Sequence, residues 1–415
     1  MSGRRLIAAG AAALLLPAAA LVSTQASSAT APAASPLSSS AAQADVLARK
    51  KARKKARKAK VSIKVLPPIS QYGKRPTSPS SRAVIEVTAK PGKAGRNKKV
   101  VLQARSGSSW KKAGAGRTNA RGKAHLLGAV SRDGQPVEYR VKLGKATSKS
   151  ATTAQWLAPS FEDTFEGTTL GAGWNHRIPE YNGDGNRLCS RGGPEAVSVG
   201  KGTVRLSVIK DPARNDKCVA KRSGKVTGKY NYRLNGHIST EESYSFKYGV
   251  AAARMKFPKA RGQHSSFWMQ PAEHVAGSTD PKLSGAEIDV IEHFGKGSGP
   301  KDSMGLTTFT YHWAKGGQRV KTGNWLKNVK QYTAKKNDDW FKAYHVFSVE
   351  WTPKQYIFRI DGQETWRSNR GVSGQPQYPI LSLLSSDYEL SDLGNERKLP
   401  QHMYVDWIRV WETPS

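Results

Sequence analysis

The sequence predicts an all-β protein, with a small β-sandwich over residues 61–155 and a larger β domain over residues 156–415. Two observations carry this. From residue 156 onward there is little sustained helical periodicity; short apolar and β-branched runs instead alternate with Gly, Pro, Asn and Asp turns. Residues 61–155 repeat the pattern on a smaller scale. Ala83-Val84-Ile85-Glu86-Val87, Val100-Val101-Leu102-Gln103-Ala104 and Tyr139-Arg140-Val141 are strand candidates, separated by turn signals at Pro91-Gly92, Arg121-Gly122 and Asp133-Gly134.

The chain opens Met1-Ser2-Gly3-Arg4-Arg5, followed by an apolar run over residues 6–22 and small residues at Thr24-Gln25-Ala26. This pattern predicts an export signal over residues 1–26, too short for a span and leading into a polar stretch. Arg4-Arg5 is compatible with a twin-arginine route. No other apolar run is long enough to cross a bilayer, so a secreted, soluble protein is expected; a monomer is the separate expectation.

Residues 27–60 form a linker. Its first part is rich in Ala, Ser and Pro and reads as disordered. Its second part is a Lys/Arg block running from Arg49. A block of like charge repels itself and is expected to stay disordered until it meets a polyanion. The net charge of +36 is uneven: residues 1–155 carry 31 Lys and Arg against 4 Asp and Glu, while the rest carry 36 against 27. The basic third suits an acidic cell-envelope polymer or acidic polysaccharide, with simple solubility as the alternative; nucleic acid is not expected for an exported chain.

In the small module Trp110 is the candidate core anchor, and short strands with regular turns suggest a sandwich. The pattern resembles bacterial immunoglobulin-like or fibronectin-like modules, which implies spacing, attachment or glycan binding without choosing among them. The larger domain holds both cysteines. In an exported chain Cys189 and Cys218 are expected to pair, with two buried thiols as the alternative.

The chemistry concentrates in Glu287-Ile288-Asp289-Val290-Ile291-Glu292-His293-Phe294-Gly295. Val and Ile suit a pleated strand. On such a strand Glu287 and Asp289 share one face. A bulge between Val290 and Glu292 would bring Glu292 to that face as well. Three crowded carboxylates raise one another's pKa, an arrangement that stability does not favour. A glycosidase uses it, because one carboxylate attacks while a second donates a proton. A calcium cluster and a solvated charged strand are the alternatives.

Around this strand the sequence resembles glycoside hydrolase family 16. The similarity runs from Phe161-Glu162-Asp163-Thr164-Phe165 through Ala253-Arg254-Met255-Lys256, Ser266-Phe267-Trp268-Met269 and the acidic stretch. It continues through Glu350-Trp351-Thr352-Pro353 and Asp361-Gly362 to Met403-Tyr404-Val405-Asp406 with Trp407-Ile408-Arg409-Val410. The resemblance implies a concanavalin-like jelly roll of two curved antiparallel sheets with a glycan cleft on the concave face. It assigns Glu287 as nucleophile, Asp289 as assisting residue and Glu292 as acid/base. It places Trp268 at the sugar subsites, with a core tryptophan as the alternative, and Asn186 on a loop that reaches the glycan, with a plain turn as the alternative; no cofactor is needed for catalysis. His312 reads as a substrate-binding, cleft-facing residue or as a structural histidine, and Arg254 as a substrate-side partner of the catalytic acids or as half of a structural ion pair. The resemblance also makes Asp406 a candidate ligand for a structural calcium. The departures are Ser265-Ser266 before Phe267, and residues 382–390, which lack the usual Asn-containing strand. These leave the sugar open: β-1,3- or β-1,3/1,4-glucan is expected, a β-galactan or acidic glycan is the runner-up, and a glycan-binding protein without catalysis is the rival.

Overall fold

In the small module, alternation of buried and outward-facing residues builds strands such as Lys99–Ser106 and Lys123–Ala129. The computed structural model describes residues 59–73, 82–90, 92–183, 186–314, 317–333 and 338–414, all within one compact unit, Arg57–Ser415. The expected signal and nearly all of the linker with its Lys/Arg block lie outside the described residues. Strands β1 (Lys60–Leu66), β2 (Arg82–Lys90) and β5 (Lys123–Ala129) form one antiparallel sheet in the order β1-β2-β5. Strands β3 (Lys99–Ser106), β4 (Ser109–Arg117) and β6 (Glu138–Leu143) form a second, with β3 at its centre. In β3 and β6, Val100, Leu102, Ala104, Tyr139, Val141 and Leu143 are buried, while their neighbours face outward. Trp110 is not the anchor that the sequence suggests. It sits half-buried on edge strand β4, and Tyr139 and Trp156 fill the core instead.

The larger β unit runs in twelve principal strands. These are β7 (Thr203–Lys210), β8 (Arg233–Ser239), β9 (Gly249–Lys256), β10 (His264–Pro271), β11 (Glu287–His293) and β12 (Leu306–Ala314). They continue with β13 (Gln318–Trp325), β14 (His345–Thr352), β15 (Gln355–Ile360), β16 (Gln363–Ser368), β17 (Gln377–Leu384) and β18 (Gln401–Glu412). They hydrogen-bond in the order β13-β12-β11-β10-β17-β8-β7-β18-β9-β14-β15-β16. This long sheet doubles back at the β7/β8 pairing, where Val208 meets Asn235. One half contributes Phe267, Ile288, Val290 and Leu381 to a core, and the other contributes Ala253, Met255, Phe347 and Ile408. The result is a jelly roll of two face-to-face layers. Among the described residues no helix is long and apolar enough to cross a membrane.

The small module lies on the back of this jelly roll. Strand β2 is buried on both faces because it is sandwiched: Ile85 and Val87 join the module's core, while Val84 packs where a Cβ on Gly362 would sit 2.5 Å from it. Val250, Ala252, Val346, Trp407 and Trp411, from the outer face of the β18-β9-β14 layer, share one apolar cluster with the module. Polar contacts cross the same boundary. Lys64 and Arg359 both pair with Glu350, Arg359 reaches Glu86 (3.1 Å), and Trp407 Nε1 donates to Gln71 Oε1 (2.9 Å). Cys189 and Cys218 form a disulfide, with Cα atoms 5.4 Å apart.

His345 sits near this boundary, with Asp361 Oδ2 at 2.7 Å, Asp338 Oδ2 at 3.3 Å and the Tyr72 ring 5.0 Å away. Burial alone would lower its pKa; hydrogen bonds to the two aspartates outweigh that and raise it to about 9. A folded-state pKa above the unfolded value gives stability that is complete below about pH 6.5 and lost as pH rises to about 9. We therefore expect the unfolding free energy to fall by up to about 3 kcal/mol over that range. Thermal melts of the native chain and His345→Gln across pH 6–9.5 check this, and the variant should lose most of the slope.

Candidate active site

Strand β11 owes its chemistry to one irregularity. Pairing with β12 runs from Glu287 opposite Tyr311 to Asp289 opposite Phe309, then resumes with Glu292 opposite Thr307. On the other side Phe267 meets Ile291 and Trp268 meets Asp289. Both ladders shift register around Val290. The bulge puts Glu287, Asp289 and Glu292 on the outward face, while Ile288, Val290 and Ile291 enter the core. All three acids line a cleft of 410 Å³, walled by Ser266, Trp268, Phe309 and Trp325 among others. A second arm of 640 Å³ shares Glu287, Tyr311 and Arg319 with the first and runs on past Gln270, His274 and Trp313. Glu287 therefore stands where the two arms meet, which suits a chain that extends in both directions.

The three carboxylates differ in surroundings. Glu287 is partly exposed, pairs with Arg319 and accepts a hydrogen bond from Gln270 Nε2 (3.2 Å). Asp289 is 3% exposed. Its burial, then the charges of Glu287 and Glu292, push its pKa well above the ordinary value, so its charged form is disfavoured. Glu292 accepts from Ser266 Oγ (3.2 Å) and Thr307 Oγ1 (3.3 Å). Burial raises its pKa, against the opposing pull of His264 and the Ser266 hydrogen bond. The strand thus holds an ion-paired carboxylate at one end and, at the other, a buried one whose pKa is raised. That division matches an anionic nucleophile and a proton donor.

The remaining predicted residues divide. Trp268 lines the cleft with its Nε1 donating to Ser382 Oγ (3.0 Å), flanked by the His237 ring (6.0 Å) and the Arg177 guanidinium (5.6 Å). His312 is adjacent to Tyr311 on β12 and therefore alternates away from the acids. It lies against Gly371, where a Cβ would come within 2.3 Å of Nδ1, and meets only the second arm. Asn186 is exposed at φ +57° and accepts from the Asp387 N–H (3.0 Å); its neighbour Arg187 lines the cleft in its place.

For Arg254 the substrate-side reading is corrected and the structural ion pair holds, and Asp406 as a calcium ligand requires correction. Arg254 does not approach the acids. Strand β9 pairs with β18 and β14, in the layer opposite β11, and alternation turns Arg254 to the side that carries the small module. There its guanidinium meets Asp406 (2.6 Å) and donates to the carbonyls of Gln71 (3.2 Å) and Gly73 (2.7 Å). Asp406 is engaged with an arginine rather than with a calcium ligand set. Among the described residues no group of three or more His, Cys, Asp or Glu converges to hold a metal.

Sequence reasoning missed His264. It begins β10, two residues before Ser266 and on the same face, and its Nδ1 is 2.8 Å from Glu389 Oε2. Burial alone would lower its pKa, but Glu389 and Glu292 more than reverse this. An imidazolium beside Glu292 favours the carboxylate and so holds its pKa down. We expect His264→Gln to release that pull and move the basic limb of the pH–kcat/KM profile upward. The same profile unchanged in shape, merely scaled down, would reduce His264 to a structural residue. Its only sequence signal is its spacing from Ser266, because Glu389 lies 125 residues away.

Glycosyl hydrolases family 16 matches residues 195–409 of this chain. Over 126 residues the chain is 26% identical to Gram-negative bacteria-binding protein 3 of Drosophila melanogaster, covering 30% of this chain and 24% of that protein. Over 175 residues it is 27% identical to a beta-glucanase of Fibrobacter succinogenes, covering 41% and 45%. The chain thus spans less than half the length of either relative. The catalytic domain of an endo-1,3-beta-glucanase (laminarinase) from Thermotoga petrophila superposes with a TM-score of 0.46 at 20% identity, covering 62% of this chain and 98% of that one.

Proposed function

The chain belongs to glycosyl hydrolase family 16, and from that premise we propose that it is a secreted, retaining, endo-acting hydrolase of a β-1,3- or β-1,3/1,4-linked glucan. The observation that carries this reading is the unequal pair on the bulged strand. Glu287 is ion-paired and open to the cleft, while Glu292 is buried, which raises its pKa. In the first step a Glu287 oxygen bonds to the anomeric carbon as the glycosidic C–O bond breaks, and Glu292 passes its proton to the departing oxygen. In the second, Glu292 takes a proton from water, whose oxygen displaces Glu287 from the same carbon. Two inversions retain the configuration. Asp289, buried between them with its charged form disfavoured, limits the negative charge gathered on the strand. The beta-glucanase relative supports a glucan as substrate, and two cleft arms meeting at Glu287 support internal cleavage.

A second reading has its own support. Arg187 and Lys321 line the cleft, and Lys321 Nζ lies 3.6 Å from the Phe309 ring centroid. Such cations suit a substrate bearing carboxylate or sulfate groups. A reducing-end assay of residues 59–415 decides between them, using laminarin, mixed-linkage β-glucan, agarose, carrageenan and hyaluronan, with Glu287→Gln in parallel. Activity on one glucan that is absent in Glu287→Gln, with newly formed β-anomers by NMR, is the expected result. Cleavage confined to the acidic polymers would move the substrate assignment. Binding without cleavage on every polymer would leave a glycan-binding protein.

A further inference from the structure

The outward face of the module's second sheet is unusual for a surface that only keeps a protein soluble. Residues 59–153 contain 21 Lys and Arg against 3 Asp and Glu. The module's first sheet is covered by the jelly roll, so its second sheet presents the free face. Register fixes what stands on that face. Lys112 of β4, Gln103 of β3 and Arg140 of β6 form one row. Trp110 lies opposite Arg105 in the next row, and Lys142 flanks Val101 in the row on the other side. Lys99 and Arg117 close the face. Six cations thus share it with one carboxylate, Glu138, which is 3.7 Å from Arg105. Rows two residues apart are about 7 Å from one another, and strands are about 5 Å apart, so cationic positions recur on a grid of that spacing.

Trp110 adds a second, independent observation. Its indole is half-buried on an edge strand, away from the core. The Arg140 guanidinium centre lies 4.2 Å from the ring centroid, and Arg105 lies 5.8 Å away. Gln103 Oε1 accepts from Arg140 Nε (3.0 Å), which fixes the guanidinium over the ring. Charge alone does not call for a tryptophan here. A flat aromatic beside ordered cations matches a pyranose, whose C–H face stacks on the ring while its anionic substituent meets a guanidinium or ammonium.

We propose that this face, built on Trp110, Lys112, Arg140 and Lys142, binds a linear acidic polysaccharide. It lies on the far side of the jelly roll from the cleft, so it acts as an attachment site rather than a subsite. The inference is independent of which glycan the cleft cleaves. It would hold the enzyme on a carboxylated or sulfated matrix while the opposite face works.

Affinity electrophoresis and calorimetry against polygalacturonate test it, with dextran as neutral control. The full-length chain is used with Glu287→Gln to prevent turnover and with the Lys and Arg of residues 49–58 changed to Gln, so that the block cannot carry binding. Lys112→Gln/Arg140→Gln/Lys142→Gln should weaken binding about tenfold or more and flatten its salt dependence. Trp110→Ala should weaken it roughly fivefold or more. Removing three cations elsewhere, with Lys221→Gln/Lys225→Gln/Lys229→Gln, should change it less than about twofold. Melting curves of the variants should coincide with the parent. Equal losses in both triple variants would reduce the effect to net charge and overturn the proposal. Unchanged binding in the face variants, or equal retention by dextran, would do the same.

Discussion

Glu287→Gln is expected to abolish cleavage of polymer and of activated aryl glycoside alike, whereas Glu292→Gln should discriminate between them. In the proposed two-step reaction no covalent intermediate forms without Glu287, whatever the leaving group. Without Glu292 a poor leaving group has no proton donor, and general acid catalysis contributes roughly 10²–10⁴-fold. A nitrophenolate leaves without help, so its first step should be nearly unimpaired. The second step still needs Glu292 as base, so an initial burst of phenolate followed by slow turnover is expected. Asp289→Asn provides the internal control. Burial and its neighbours disfavour the charged form of Asp289, and the amide keeps most of its shape. Its loss should be smaller than that of either glutamate variant. Stopped-flow release of nitrophenol and reducing-end assays on polymer measure all three. Equal losses for Glu287→Gln and Glu292→Gln on both substrates would remove the assigned division of labour.

The acids were legible because their geometry is local. Alternation plus one bulge is written into nine consecutive residues, and the apolar partners Ile288, Val290 and Ile291 leave the strand only one way to face. Their environment was not legible. Arg319, which pairs with Glu287, arrives two strands away, and the partner of His264 comes from a loop after β17. Arg254 misled for a related reason. Its motif is local, but the face a strand presents depends on which layer the strand joins, and β9 joins the layer opposite β11. Trp110 misled because a lone tryptophan is ordinarily core-forming; edge position and two arginines changed that. The all-β class was evident from spacing alone, yet nothing in the pattern showed that the small module and the jelly roll share a core. Val250, Ala252, Trp407 and Trp411 read as interior residues of the larger domain, which they are only when the module covers them.

That shared core makes the second large effect predictable. A chain beginning at residue 156 should fail to fold stably, although residues 156–415 contain the whole cleft. Removing the module uncovers Val250, Val346, Trp407 and Trp411. Large apolar side chains each lose on the order of 1.5–3 kcal/mol when returned to water. It also strips buried groups of partners: Arg359 loses Glu86, Glu350 loses Lys64, Arg254 loses two carbonyls, and Trp407 loses Gln71. Unpaired buried polar groups cost roughly 1–3 kcal/mol each, and charged ones more. Together these exceed much of the 5–15 kcal/mol by which domains are ordinarily stable. The expected result is aggregation, or a melting midpoint lower by tens of degrees, for residues 156–415, whereas residues 59–415 melt with the full chain. Gel filtration and circular dichroism distinguish these outcomes. A monomeric 156–415 fragment melting within a few degrees of the full chain would show that the boundary contributes little. Otherwise the small module is part of the catalytic fold, and inactivity of the isolated 156–415 fragment would say nothing about its cleft.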